Sequence, residues 1–252
     1  MMGSKDGYTW ILRASAADYT WDSVCYGNGM YVAVCTDGEV MTSTNGINWT
    51  LRSTGIDGAW TSVCYGNGLF VAVAENADSY YVMTSADGIT WTGRTSVSGY
   101  WTSVCYGNNL FVAVGNGIVM TSANGTAWTA RTPASVFSWR SVCYGNNLFV
   151  AVSGTTGSSG NIMTSTDGIN WTGRVAPSSN YWTSVCYGNN LYVAVGLGLN
   201  AVMTSKNGID WKAGRTPTNN NWYSVCFGNG KFVAVAAAGI ATGYRVMTMD
   251  WS

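Results

Sequence analysis

The sequence predicts an all-β chain: a six-bladed β-propeller with four antiparallel strands per blade, spanning residues 1–252 as a single domain. Three observations predict it. A segment with the core Ser-Val-Cys-[Tyr/Phe]-Gly occurs six times, its cysteines (Cys25, Cys64, Cys105, Cys143, Cys186 and Cys226) separated by 39, 41, 38, 43 and 40 residues. Each interval holds short runs rich in Val, Tyr, Phe and Trp, punctuated by Gly and Asn, which is the composition of strands and tight turns. The chain opens in the last strand of one repeat and stops after the third strand of another.

The stretch from Trp101 to Arg131 shows the unit whole: SVCYG, LFVAVG and IVMTS, then the turn ANG, then AWTAR. Residues 4–13, with Asp6-Gly7, Trp10 and Arg13, read as a fourth strand alone. Complete copies begin at Trp21, Trp60, Trp101, Trp139 and Trp182, and a sixth at Trp222 ends after Val246-Met247-Thr248. Joining Thr248 to Ser4 regenerates VMTSKDGYTW, so the N-terminal strand is expected to close the ring by pairing with the last blade. Closure removes exposed sheet edges.

Runs such as Phe70-Val71-Ala72-Val73 do not alternate, as expected for strands covered on both faces. Two tryptophans per repeat, one before the first strand and one in the fourth, account for every Trp except Trp251 and read as packing residues. The repeated cysteines include no C-x-x-C pair, so they read as small buried hydrophobes, with Cys35 alone outside the pattern. Between strands three and four lies Thr-Ser-x-[Asp/Asn]-Gly-x-x-Trp, as at Ser85–Trp91 and Ser165–Trp171; Asp-Gly and Asn-Gly are strong hairpin signals because both residues tolerate positive φ.

Composition narrows the function classes. Lys plus Arg equals Asp plus Glu at 12 each, which gives no electrostatic footprint for nucleic acid or an anionic membrane. The absence of His removes the commonest general base and transition-metal ligand, so no metal or cofactor is expected. The N-terminus lacks a basic region followed by an apolar one, which points to the cytoplasm or a virion or other particle, and a monomer is expected.

The three–four turn resembles the Asp-box of sialidases and other bacterial neuraminidase-repeat propellers, with one residue fewer between Asp and Gly and with Asn in three of five copies. The resemblance implies a propeller in which the box is a folding element. Sialidases use a Tyr nucleophile with a Glu, and three Arg that grip a substrate carboxylate. Here six of the Arg belong to the repeat, which leaves Arg140 and Arg245, and the only Glu residues are Glu39 and Glu75. The expectation is therefore that the chain is not an enzyme.

Antiparallel strands place the one–two and three–four turns at one end of each blade and the two–three and four–one loops at the other. The first set is nearly constant among copies and the second is divergent, as a binding face on a rigid scaffold is. The candidate ligand-binding residues are Tyr19, Asp57, Tyr100, Phe137, Arg140, Tyr181 and Asn220. Aromatic rings beside planar polar side chains suit sugars, so the leading expectation is a multivalent, lectin-like glycan-binding module, with a protein partner on the same face as an option. A structural or adhesive part of a phage tail or surface assembly, a recently amplified or designed symmetric propeller, and a sialidase-like hydrolase are the competing readings.

Overall fold

The computed structural model describes residues 2–156, 159–216, 218–237 and 245–250. Trp251 lies outside them. Among the described residues the chain is all-β, a six-bladed β-propeller with five four-stranded antiparallel sheets and a sixth of three strands.

Blade 3 illustrates how the repeat folds. Its strands are Trp101–Gly107, Leu110–Gly115, Ile118–Ser122 and Thr129–Arg131. The first hairpin turns on Asn108 and Asn109, at φ 48° and 57°, the double positive φ that lets a two-residue loop follow the strand twist. Phe111 to Gly115 is buried throughout, as the non-alternating pattern requires. The short fourth strand is largely exposed, a form that discourages pairing with another chain.

Each first strand carries one irregularity at the same place. In blade 3, Trp101 pairs with Gly115 and Ser103 with Val114, so Thr102 is an extra, bulged residue. The same shift occurs after Trp21, Trp60, Trp139, Trp182 and Trp222.

Neighbouring blades are joined by repeated side chains. Ser23 Oγ accepts from Val63 N and Ser62 Oγ from Val104 N, each at 3.1 Å; Ser141 and Ser184 do the same for Val185 and Val225. Gly66 must be glycine because a Cβ there would lie 2.1 Å from Tyr106 Cγ of the next blade. Trp60, Trp101, Trp139, Trp182 and Trp222 are wholly buried, in keeping with their packing role. The repeated Arg has a local role too: Nε of Arg52, Arg94, Arg131 and Arg174 donates to Oγ1 of Thr42, Thr84, Thr121 and Thr164, at 2.9, 2.8, 2.9 and 3.0 Å.

The three–four turns are closed by their own side chains. In blade 2, Ser85 Oγ accepts from Gly88 N at 2.8 Å while donating to Asp87 Oδ1, which also accepts from Ile89 N and Thr90 N, each at 2.8 Å. Trp91 Nε1 then donates to Gly88 O. These donors hold the Asp87 and Asp167 carboxyls below the usual carboxylate range.

The blades group into two compact units: Met1–Lys5 with Thr9–Arg131, and Asp6–Tyr8 with Thr132–Ser252. In the first unit, Met2–Gly3 pairs with Ile11–Leu12, in the register that Met83–Thr84 keeps with Thr92–Gly93. The N-terminus thus supplies its own third-strand fragment. This corrects the expected ladder partner of residues 11–13: a short loop brings Met2–Gly3 to that edge at low entropic cost. The second unit retains the expected docking of the N-terminal turn on the last blade, where Thr248 Oγ1 donates to Gly7 O at 2.7 Å and Lys231 Nζ to Tyr8 Oη at 3.1 Å.

The cysteines reverse one expectation. Cys35 is wholly buried, behind the loop bonds of Gly38 N to Cys35 O and Cys35 N to Glu39 O. The repeated cysteines are half-buried, and Cys226 is exposed, while Cys25, Cys64, Cys143 and Cys186 pack against the core between their own blade and the next. They are nevertheless hard to ionise: desolvation pushes Cys25 up to about 12, and Cys64 and Cys105 well above the usual value.

Candidate functional site

The divergent loops of blades 1 and 2 border a shallow, open groove of about 310 Å³, lined by Thr36, Asp37, Gly38, Asp57, Gly58, Ala59, Asn76, Ala77 and Asp78. Backbone bonds extend the sheet into its wall: Ala59 N donates to Asn76 O at 2.8 Å and Glu75 N to Ala59 O at 3.0 Å. Asp37 Oδ2 accepts from Thr20 N at 3.1 Å, which ties the blade 1 loop to the chain entering that blade. Asp57 and Asp78 are exposed, and no hydrogen bond or ion pair engages either among the described residues. No Lys or Arg lines the groove. The arrangement is a polar cleft of acceptors. Among the described residues, no group of three or more acidic, Cys or His side chains is placed to hold a metal ion.

The seven residues singled out in the sequence are divided between the two units, and within neither do all of them line one pocket. Asp57 lines the groove. Tyr19 stands edge-on to Trp21, with centroids 6.1 Å apart, and Tyr100 is 61% exposed while its carbonyl accepts from Asn116 N. In the second unit Phe137 packs on Trp139 at 6.2 Å. Arg140 and Tyr181 do meet, the guanidinium carbon lying 5.3 Å from the ring centroid. Asn220 is turned inward at 2% exposure and donates to Thr218 Oγ1, so it serves its own loop. The long loop between Ser153 and Asn161 includes residues 157 and 158, which lie outside the described set.

Sequence reasoning missed Asp37, Asn76 and Asp78. The available signal was acidity on one face of the first two blades: Asp18, Asp22, Asp37, Glu39, Asp57, Glu75 and Asp78 all fall in or beside two–three and four–one loops. The balanced total charge concealed it.

No protein-family model and no curated protein sequence matches the chain. Solved structures do resemble it in fold. Virginiamycin B lyase from Staphylococcus aureus matches with a TM-score of 0.75 at 10% identity, over 93% of this chain and 85% of that one. A streptogramin B lyase matches with a TM-score of 0.74 at 13% identity, over 84% of this chain and 75% of its own. YCF48 bound to D1 peptide matches with a TM-score of 0.69 at 18% identity, over 92% and 82%. At these identities the likeness is one of fold. It still overturns the expectation that the chain is not an enzyme. Two of the neighbours are lyases, so the expectation cannot stand on a count of Arg and Glu residues alone.

Proposed function

We propose that the chain is a ligand-binding propeller whose groove on the divergent loops of blades 1 and 2 takes a neutral glycan. One observation carries the reading: Asp37, Asp57 and Asp78 surround a single cleft with no cation lining it. Sugar hydroxyls are donors, and their bonds to carboxylates are the charge-assisted kind, roughly twice as strong as neutral ones. The same carboxylates would repel a uronic or sialic acid, which selects for uncharged rings. A volume of about 310 Å³ lies at the small end for ligand pockets, which suits one or two sugar residues. The expected multivalency gives way to one such site on this reading, because the acidic trio has no counterpart at Gly115-Asn116-Gly117 in blade 3. On this reading the three–four turns are Asp-box-like folding elements.

Calorimetric titration with neutral mono- and disaccharides tests it. Saturable binding that disappears in Asp57→Ala and Asp78→Ala is the expected result. No heat at millimolar sugar, or undiminished binding in both variants, would sink the proposal.

A further inference from the structure

The bulge in each first strand places one side chain in the same position in every blade, and in chain order that residue is Asp22, Thr61, Thr102, Arg140, Thr183 and Tyr223. A bulge re-aims a side chain, and the threonines show to what end. Thr61 Oγ1 lies 3.2 Å from Val73 O of its own blade and 2.8 Å from Trp101 O of the next. Thr183 Oγ1 repeats this with Val195 O at 3.0 Å and Trp222 O at 2.7 Å. Thr is thus the residue that joins blades at this position.

Arg140 makes neither contact. Its Nε is buried and has no hydrogen-bond partner among the described residues, and its one recorded interaction is with the Tyr181 ring at 5.3 Å. Tyr181 is itself held: a Cβ on Gly154 would lie 2.4 Å from Tyr181 Cζ, and Gly154 N donates to Ser138 O at 2.9 Å, fixing that loop beside the strand that bears Arg140. Among the described residues, the acidic side chains of this unit belong to the other end of the blades. Asp167 and Asp210 lie in three–four turns and accept from Asn170 N and Asn207 Nδ2, and Asp6, in the equivalent N-terminal turn, accepts from Tyr8 N. A fixed guanidinium therefore stands where the repeat has a blade-joining hydroxyl, with no anion beside it among the described residues of its unit. A position that breaks a local rule without a structural gain is where function is expected.

We propose that Arg140 is a binding site for a carboxylate group, with Tyr181 as the residue that positions its guanidinium. The planar fork of Arg matches a carboxylate in two parallel hydrogen bonds, and stacking on Tyr181 fixes its plane. The site is separate from the acidic groove and opposite to it in preference, so each can fail without the other. The source of the carboxylate, an acidic sugar or a peptide C-terminus, is left to the experiment.

The full-length protein, labelled with ¹⁵N, is titrated with sodium glucuronate and with N-acetylalanine, following the Arg140 Nε–H resonance; glucose and N-acetylalaninamide are the uncharged controls. A saturable shift with either acid and none with the controls is the expected result, and the tighter acid names the source. Arg140→Thr, which restores the repeat's own residue, is expected to weaken binding about tenfold to a hundredfold, as loss of charged hydrogen bonds does. The same variant should melt at or above the wild-type temperature, by about 3 °C if the blade-joining bonds form. Tyr181→Leu should weaken binding less and broaden the Nε–H resonance. Absence of a shift with both acids, unchanged affinity in Arg140→Thr, or a lower melting temperature for that variant would each overturn the proposal.

Discussion

The turn at Ser165–Trp171 and the groove around Asp57 are built from the same residue types and use them in opposite ways. In the turn, Asp167 Oδ1 accepts from Ser165 Oγ, Ile169 N and Asn170 N, and Oδ2 from Asn170 Nδ2, so its acceptor capacity is spent within seven residues. In the groove, Asp57 and Asp78 engage no other side chain or backbone group among the described residues. A carboxylate whose bonds are internal specifies backbone geometry, whereas one left open to solvent is available to a ligand. The difference separates the constant end of these blades from the divergent end better than residue type or count does.

The comparison can be broken first through the turn hydroxyls. Ser85 is 3% exposed and satisfies Gly88 N, a buried donor. Ser85→Ala should cost about 2 kcal/mol in urea unfolding, the scale of a buried donor left unmet. A loss under ~0.5 kcal/mol would show that the turn closes without it.

A smaller effect, and one that depends on pH, is expected at the carboxylates. Backbone donors depress Asp87 and Asp167 in the folded state, so their stabilisation is complete above the unfolded value of about 4 and is lost as pH falls through the lower folded values. Asp87→Asn with Asp167→Asn keeps the acceptors, as Asn45, Asn124 and Asn207 do in their own turns. Melting temperatures measured from pH 5 to pH 2 should fall less steeply in that double variant than in the wild type; parallel curves would refute the assignment. Asp167→Ala at neutral pH should cost about 1 kcal/mol.

At the groove the expected stability change is smallest. Asp57→Ala should remain within ~0.5 kcal/mol of the wild type, because the side chain is exposed and holds nothing in place. Sharpened this way, the comparison requires turn variants that bind normally once folded and groove variants that fold normally without binding. The thiols give a last, kinetic check. Native labelling should be slow at Cys25, Cys64 and Cys105 and accelerate as pH rises toward about 12, the Cys25 value, while Cys35 should react only on unfolding.

Much of this architecture was legible because its causes recur. Six copies of one strand pattern reveal the blades, and the Ser, Gly and Trp of each turn can be checked against one another along the chain. The ladder of residues 11–13 was misassigned for a physical reason. Gly3 stands where the repeat has Thr, so Met2–Gly3 does not look like a third strand, although the backbone register with Leu12 and Ile11 depends on the local turn. The site was less legible. Asp37, Asp57 and Asp78 lie in three separate loops, and only the sheet extension at Ala59, Glu75 and Asn76 gathers two of those loops. Arg140 was visible as an exception to the repeat, but that it occupies a bulge could not be read from residue order, since a bulge is a property of pairing.

That recurring bulge also bears on how such a chain diversifies. Its residue lies outside the ladder, so exchanging it leaves strand register and the buried tryptophan beside it untouched, and the loss is confined to two hydroxyl bonds. Mutation can therefore sample chemistry at one blade while the others maintain the scaffold, and each trial is nearly independent of the rest. Asp22, Arg140 and Tyr223 are the three residues of this chain that depart from Thr at this slot. A duplicated architecture with a tolerant, regularly spaced slot has variability confined to positions where it does not threaten folding.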